Sequence, residues 1–209
     1  MEVDLGCNMT KASEIVAEVV RQGGAPYLKQ CGFKKDGLRF HRRQTGVVQV
    51  IEFQLSQANF ADQGTFYINA GLGFDALWAS AKTSSVERPK IHECHLQKRI
   101  EELLPDAPSS WHVSSESDTA ELANEIRVWM TLLMSELDRM RSTAGVLQGN
   151  WLKVGSERIL KGRLFYVTGD VQSAMIELRA AADFFADRQG MSIQELVQRY
   201  SLVELAPLL

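Results

Sequence analysis

The sequence predicts an α+β fold: an antiparallel sheet of about four strands with helices packed on one face, plus a C-terminal helical extension. Three observations carry this expectation. Apolar residues recur with a period of two in three successive stretches between residues 38 and 74. They recur at intervals of three and four from 118 to 140. After Gly145 the composition is helical to the last residue, so an α+β domain is expected at 1–142 and a helical extension at 143–209.

Each element follows in order. Residues 10–22 set Ile15, Val16, Val19 and Val20 on one helical face, and GGAP at 23–26 is expected to interrupt that helix. Pro26 suits the first turn of a short second helix that stops at Gly32. Leu38 and Phe40 then alternate with Arg39, His41 and Arg43. Ile51, Phe53 and Leu55 alternate with Glu52, Gln54 and Ser56. Phe66, Ile68, Ala70, Leu72 and Phe74 alternate with Tyr67, Asn69, Gly71 and Gly73. Separated by QTG and NFADQG, these runs predict an antiparallel meander with one buried face. A slip of one residue would turn every Phe outward, so the pattern sets the register.

The stretch IHECHLQKRIEELL (91–104) reads as a helix carrying Ile91, Leu96, Ile100, Leu103 and Leu104, closed by Pro105 and Pro108. WHVSS reads as a fourth strand. Asp118 and Glu121 have capping-box spacing and open a long helix bearing Leu122, Ile126, Trp129, Leu133, Leu137 and Met140, expected to cover the apolar sheet face. In the extension, Gly162, Phe165, Gly169-Asp170, Ala174 and Ala181 resemble the spacing of one tetratricopeptide repeat. One copy lacks the stacked neighbours such repeats need, which favours a helical hairpin packed on the core or on a partner. Ser192 and Glu195 open a last short helix.

Composition narrows the function classes. With 45% hydrophobic and 23% charged residues in 209, the chain can build a core. A net charge of −3 and a pI near 5.9 argue against broad binding to a phosphate backbone, so nucleic acid is not an expected partner. The basic cluster Lys34, Lys35, Arg39, Arg42 and Arg43 reads as a solvated strand and turn. No apolar run approaches the roughly 18 to 20 residues needed to cross a bilayer, and no membrane partner is expected. The acidic, polar stretch MEVDLGCNMTKASE does not read as a secretory signal. Cys7, Cys31 and Cys94 are odd in number and far apart, which suits free thiols and a cytoplasmic location.

Chemistry-bearing motifs are sparse. His92, Cys94 and His95 in HECH are potential zinc ligands, but structural zinc draws on two separated pairs and no second pair exists. On one helix, His92 and His95 would share a face with Cys94 turned elsewhere, a buried thiol between two surface histidines. There is no G-x-S-x-G elbow and no phosphate loop, and Gly71-Leu72-Gly73 sits inside a strand rather than opening a helix. Glu101 and Glu102 are helix neighbours and diverge. No catalytic residue, metal or cofactor is therefore assigned. The polar sheet face remains: Arg39, His41, Arg43, Glu52, Gln54, Ser56, Tyr67 and Asn69 are expected to project together as a partner- or ligand-binding surface. Gly71 and Gly73 leave its strand bare, a frequent mark of another backbone or ligand approaching closely.

Four ordered blocks carry a family resemblance: LKQCGFKKDGLRFHR (28–42), VVQVIEFQLSQANF (47–60), TFYINAGLGF (65–74) and CHLQKRI (94–100), with Trp111 following. Over roughly residues 10–140 the chain resembles the domain of unknown function 4304 family. Carried onto this sequence, Gln54, Ser56 and Asn69 take motif positions on the polar face, and Phe33, Phe40, Phe53 and Phe66 take core positions. The resemblance implies a small bacterial protein-binding domain of the kind found among candidate immunity proteins, with a protein partner, a cognate toxin, neutralised by direct binding. Two alternatives stand beside it. One is an enzyme using Arg39, His41, Glu52 or Tyr67 as acid, base or anion clamp, which requires a concave pocket. The other is an adaptor acting through 156–189, whose deletion should leave the sheet folded.

Overall fold

The computed structural model of the chain describes residues 11–58, 62–81, 86–149 and 151–209. Cys7 and part of the NFADQG turn lie outside the described residues.

The chain opens with α1 (Lys11–Val19) and α2 (Ala25–Gln30), joined without a break by a π turn at Val20–Gly24. GGAP therefore does not interrupt the helix as expected; it widens one turn of it. The reason is steric. A Cβ on Gly23 would lie 2.2 Å from the carbonyl oxygen of Ala123, and one on Gly24 would lie 2.9 Å from the Phe53 ring. Two glycines let this backbone rest directly on a neighbouring helix and on the sheet.

Six strands form among the described residues: β1 (Lys34–Asp36), β2 (Arg39–Gln44), β3 (Val47–Leu55), β4 (Gln63–Phe74), β5 (Leu96–Arg99) and β6 (Trp111–Ser114). All pairs are antiparallel in the order β1-β2-β3-β4-β5, and β6 also pairs with β4. The register places Arg39 opposite Glu52, Glu52 opposite Asn69, and Asn69 opposite Arg99. The three alternating stretches are strands, WHVS is a strand, and the sheet is larger than four by β1 and β5.

The second addition overturns the helix expected at 91–104. That stretch holds a short 3-10 turn (Ile91–Glu93), then β5, then a single helical turn α4 (Ile100–Leu103). Leu96 and Ile100 are both buried, a spacing that satisfies a strand or a helix equally. Pairing with β4 decides between them. Lys98, on the core side of β5 opposite Ala70, keeps its charge by pairing with Glu102 and Glu157.

The apolar face carries Phe40, Ile51, Phe53, Phe66, Ile68, Leu72 and Phe74, all essentially inaccessible. Phe40 meets Phe53 edge-on at 5.9 Å, and Phe66 stacks on Trp111 at 5.6 Å. α5 (Thr119–Arg139) joins this core through Ile126, Met130, Leu133 and Leu137, each contributing about 1.5–3 kcal/mol by burial. Asp118 accepts from the amides of Ala120 and Glu121 and starts α5 where expected. Its far end is tied to the sheet by a buried polar link that the sequence pattern hides. Gln49 Nε2 donates to the carbonyls of Leu137 (2.6 Å) and Met140 (3.0 Å). Arg42 donates to Gln49 Oε1 at 2.8 Å, to Asp138 at 2.8 Å and to the Cys31 carbonyl at 3.1 Å. Arg42 is thus buried on the core face and is not part of a solvated basic turn.

Beyond α5 come α6 (Thr143–Gln148), α7 (Ser156–Val167), α8 (Val171–Gln189), α9 (Ile193–Arg199) and a final 3-10 turn (Val203–Leu208). α7 and α8 form a hairpin: a Cβ on Gly162 would lie 2.7 Å from Leu178 Cγ, and Ala174 and Ala181 are fully buried. Asp170 caps α8 and Ser192 caps α9. α7 serves two cores. Leu160 and Leu164, with Val146, Trp151 and Leu152, complete the core under the sheet, while Ile159 joins Leu178, Phe185, Leu196 and Leu202 in a second one. No helix among the described residues is long and apolar enough to cross a membrane.

Candidate functional site

The outer sheet face divides into a covered half and an open half. Near the β2–β3 turn it presents Val48, Val50, Gly71 and Gly73, and these are roofed by α3 (Asp75–Ser80) and by residues 86–95. A Cβ on Gly73 would lie 2.2 Å from the Trp78 ring. One on Gly71 would lie 2.7 Å from Ile91 and 2.8 Å from Cys94 Sγ. The bare glycines do mark a close approach, and what approaches is the chain's own roof.

His41 and Arg43, expected on a shared working surface, fasten this roof instead. His41 is 5% exposed, and its Nε2 donates to the Pro89 carbonyl at 3.0 Å. Arg43 pairs with Asp75 at 2.8 Å and donates to the Val86 carbonyl at 3.0 Å. The reason is the apolar pair Val48 and Val50, which face outward beside them and need cover. Of the HECH residues, His92 is exposed, while burial pushes the Cys94 thiol up to about 12 and leaves it an inert packing group. His95, expected at the surface, turns inward between Phe74 and Trp78, and its Nδ1 accepts from the Phe74 amide at 3.1 Å. Among the described residues, no three His, Cys, Asp or Glu side chains converge as metal ligands would.

The open half contains the cross-strand row Arg39, Glu52, Asn69 and Arg99, with Gln54 opposite Tyr67 alongside. Antiparallel partners share a face, so this row runs straight across four strands. Arg39 Nε lies 3.2 Å from Glu52 Oε1. Asn69, only 7% exposed, donates from Nδ2 to Gln54 Oε1 at 2.7 Å. The Arg99 guanidinium sits over the Tyr67 ring, 4.1 Å from its centroid. Burial raises the Glu52 carboxyl above its ordinary value, opposed by the charges of Arg39 and His92. Beside the row lies a hollow of about 520 Å³, walled by Glu52, Gln54, Asn69, Ile91, His92, Gln97, Lys98, Arg99 and Glu102. Ser56 belongs elsewhere: its Oγ accepts from the Ala58 amide and serves the turn after β3.

Of the eight residues expected on one surface, the structure thus groups Arg39, Glu52, Gln54, Tyr67 and Asn69, and separates His41, Arg43 and Ser56. Sequence reasoning missed Gln97 and Arg99 because they fell within the supposed helix. The available signal was their place in the fourth family block, CHLQKRI, which contains both.

The model of the family described as "Domain of unknown function (DUF4304)" matches residues 24–131. The chain belongs to this family. The DUF4304 span contains all six strands and every residue of the cross-strand row, and it stops within α5. No curated protein and no solved structure matches the chain.

Proposed function

We propose that the chain is a non-enzymatic binding domain that takes a protein partner on the open half of its outer sheet face. The concrete form of this reading is a cytoplasmic bacterial immunity protein that neutralises a toxin by occlusion. The observation that supports it is the pairing within the row. Arg39 is spent on Glu52, Asn69 is held by Gln54, and Arg99 is held by Tyr67. Such a surface is rigid before its partner arrives, so little side-chain entropy is lost on docking. A catalytic site would instead leave a base or nucleophile within reach of a substrate atom. The experiment is co-expression of the chain with the product of the adjacent gene. Co-purification and rescue of growth are expected, and both should be lost when Gln54, exposed in the middle of the face, is replaced by Trp. A lone chain with no rescue overturns the reading.

One observation favours a second reading. Glu52 combines a raised pKa with a place in the wall of a hollow, as a general acid would. Glu52→Gln distinguishes the two: it abolishes turnover in an enzyme and leaves occlusion by the surrounding face largely intact.

A further inference from the structure

The hollow contains one guanidinium without an ion-pair partner. Glu52 is paired with Arg39, and Lys98 is paired with Glu102 and Glu157. The Arg99 backbone amide donates to Glu102 Oε1 at 2.8 Å, but its guanidinium has no carboxylate within 4.0 Å among the described residues. One flat face of its guanidinium is taken by Tyr67, which fixes the group in orientation, and its in-plane N–H donors meet no acceptor among the described residues. Next to it on the neighbouring strand is Asn69, nine-tenths buried and locked by Gln54. A guanidinium stacked in this way is already positioned for the planar, two-pronged contact that it makes with a carboxylate.

We propose that the hollow is an anion-recognition site for the carboxylate of an acidic side chain, Asp or Glu, presented by a protein partner, with Arg99 as its clamp. This rests on the reading of the open face as the binding surface and specifies the chemistry recognised there. Charge balance selects a carboxylate over a phosphate. Besides Arg99 the wall holds Lys98, Glu52 and Glu102; with Lys98 shared between Glu102 and Glu157, and Glu52 paired with Arg39, its positive charge suits one monoanion seated on the planar fork rather than a dianion. Glu52 and Glu102 also line the hollow, and they repel the second negative charge of a phosphate. The net charge of −3 likewise disfavours a polyanionic partner.

The test uses the full chain, isotope-labelled, with three probes: a capped hexapeptide containing a single central Glu, the same peptide with Gln, and inorganic phosphate. The signals followed are the Arg99 Nε–H and the side-chain amides of Asn69 and Gln54. Saturable shifts are expected with the Glu peptide, and binding about tenfold weaker with the Gln peptide. Arg99→Lys, which keeps the charge but not the planar fork, should lose most of the response. Arg99→Ala should lose all of it without a change in thermal melting. Absence of a saturable shift with the Glu peptide overturns the proposal. So does phosphate binding as tightly as that peptide, or a response that persists in Arg99→Ala. Partner capture separates this failure from failure of the broader reading. Capture that survives Arg99→Ala but is lost in Gln54→Trp overturns the clamp and leaves the binding face standing; capture that survives both overturns the face as well.

Discussion

At His95 one ring nitrogen accepts the Phe74 amide while the imidazole is packed between Phe74 and Trp78. Burial, with Arg163 nearby, lowers its pKa from 6.5 to about 4. His41 under the roof is pushed in the same direction by its own burial. Between pH 6.5 and about 4 the unfolded chain therefore binds protons that the folded chain refuses. The stabilisation is complete above the unfolded pKa and disappears as the pH falls through the folded one. Thermal melts should show the melting temperature dropping over this window, and His95→Gln should flatten the drop even if it lowers stability at neutral pH. An unchanged slope in the variant would contradict the assignment. At this scale the sequence was informative about need but not about identity. Gly71 and Gly73 announced a close neighbour, yet Trp78 reaches Gly73 from the short helix α3 and Cys94 reaches Gly71 from the end of a 3-10 turn, elements too short to show a periodicity.

At the scale of elements, period-two alternation located β2, β3 and β4, and the Asp118 cap located the start of α5, because both signals are local and strong. β5 was hidden because Leu96 and Ile100 suit either period, and only the free edge of β4 made the strand the better choice. Arg42 and Gln49 were hidden for a different reason: they are polar residues at core positions, where pattern reading expects apolar ones. Their contacts close the C-terminal end of α5, where Gln49 gives the Leu137 carbonyl a second donor beside the Met140 amide and binds the Met140 carbonyl as well. Gln49→Leu removes those donors and leaves the Arg42 Nε–H without its acceptor, at a cost of about 1–3 kcal/mol. Urea unfolding should record that loss, and amide exchange should accelerate in the last turn of α5. A variant as stable as the parent would show the link to be dispensable.

Over the whole molecule, the sheet and the C-terminal helices share a core. Val146, Trp151, Leu152, Leu160 and Leu164 lie with the buried residues beneath the sheet, so a chain ending at residue 142 should lose cooperative thermal unfolding or melt at a much lower temperature. The alternative of a detachable hairpin requires that truncated chain to melt like the full one. The same scale determines where a partner can sit. One side of the sheet is filled by helices and half of the other by the roof, so the row from Arg39 to Arg99 lies in the open part of the sheet, continuous with Thr65 and His112 on β4 and β6. Hydroxyl-radical footprinting of the chain, alone and with the protein that co-purifies with it, tests this directly. Protection is expected at Tyr67 and His92, flanking the hollow, with Tyr166 and Ile176 on the hairpin unchanged. Protection of Tyr166 and Ile176 with Tyr67 and His92 still reactive would contradict the claim that the open sheet face is the binding surface.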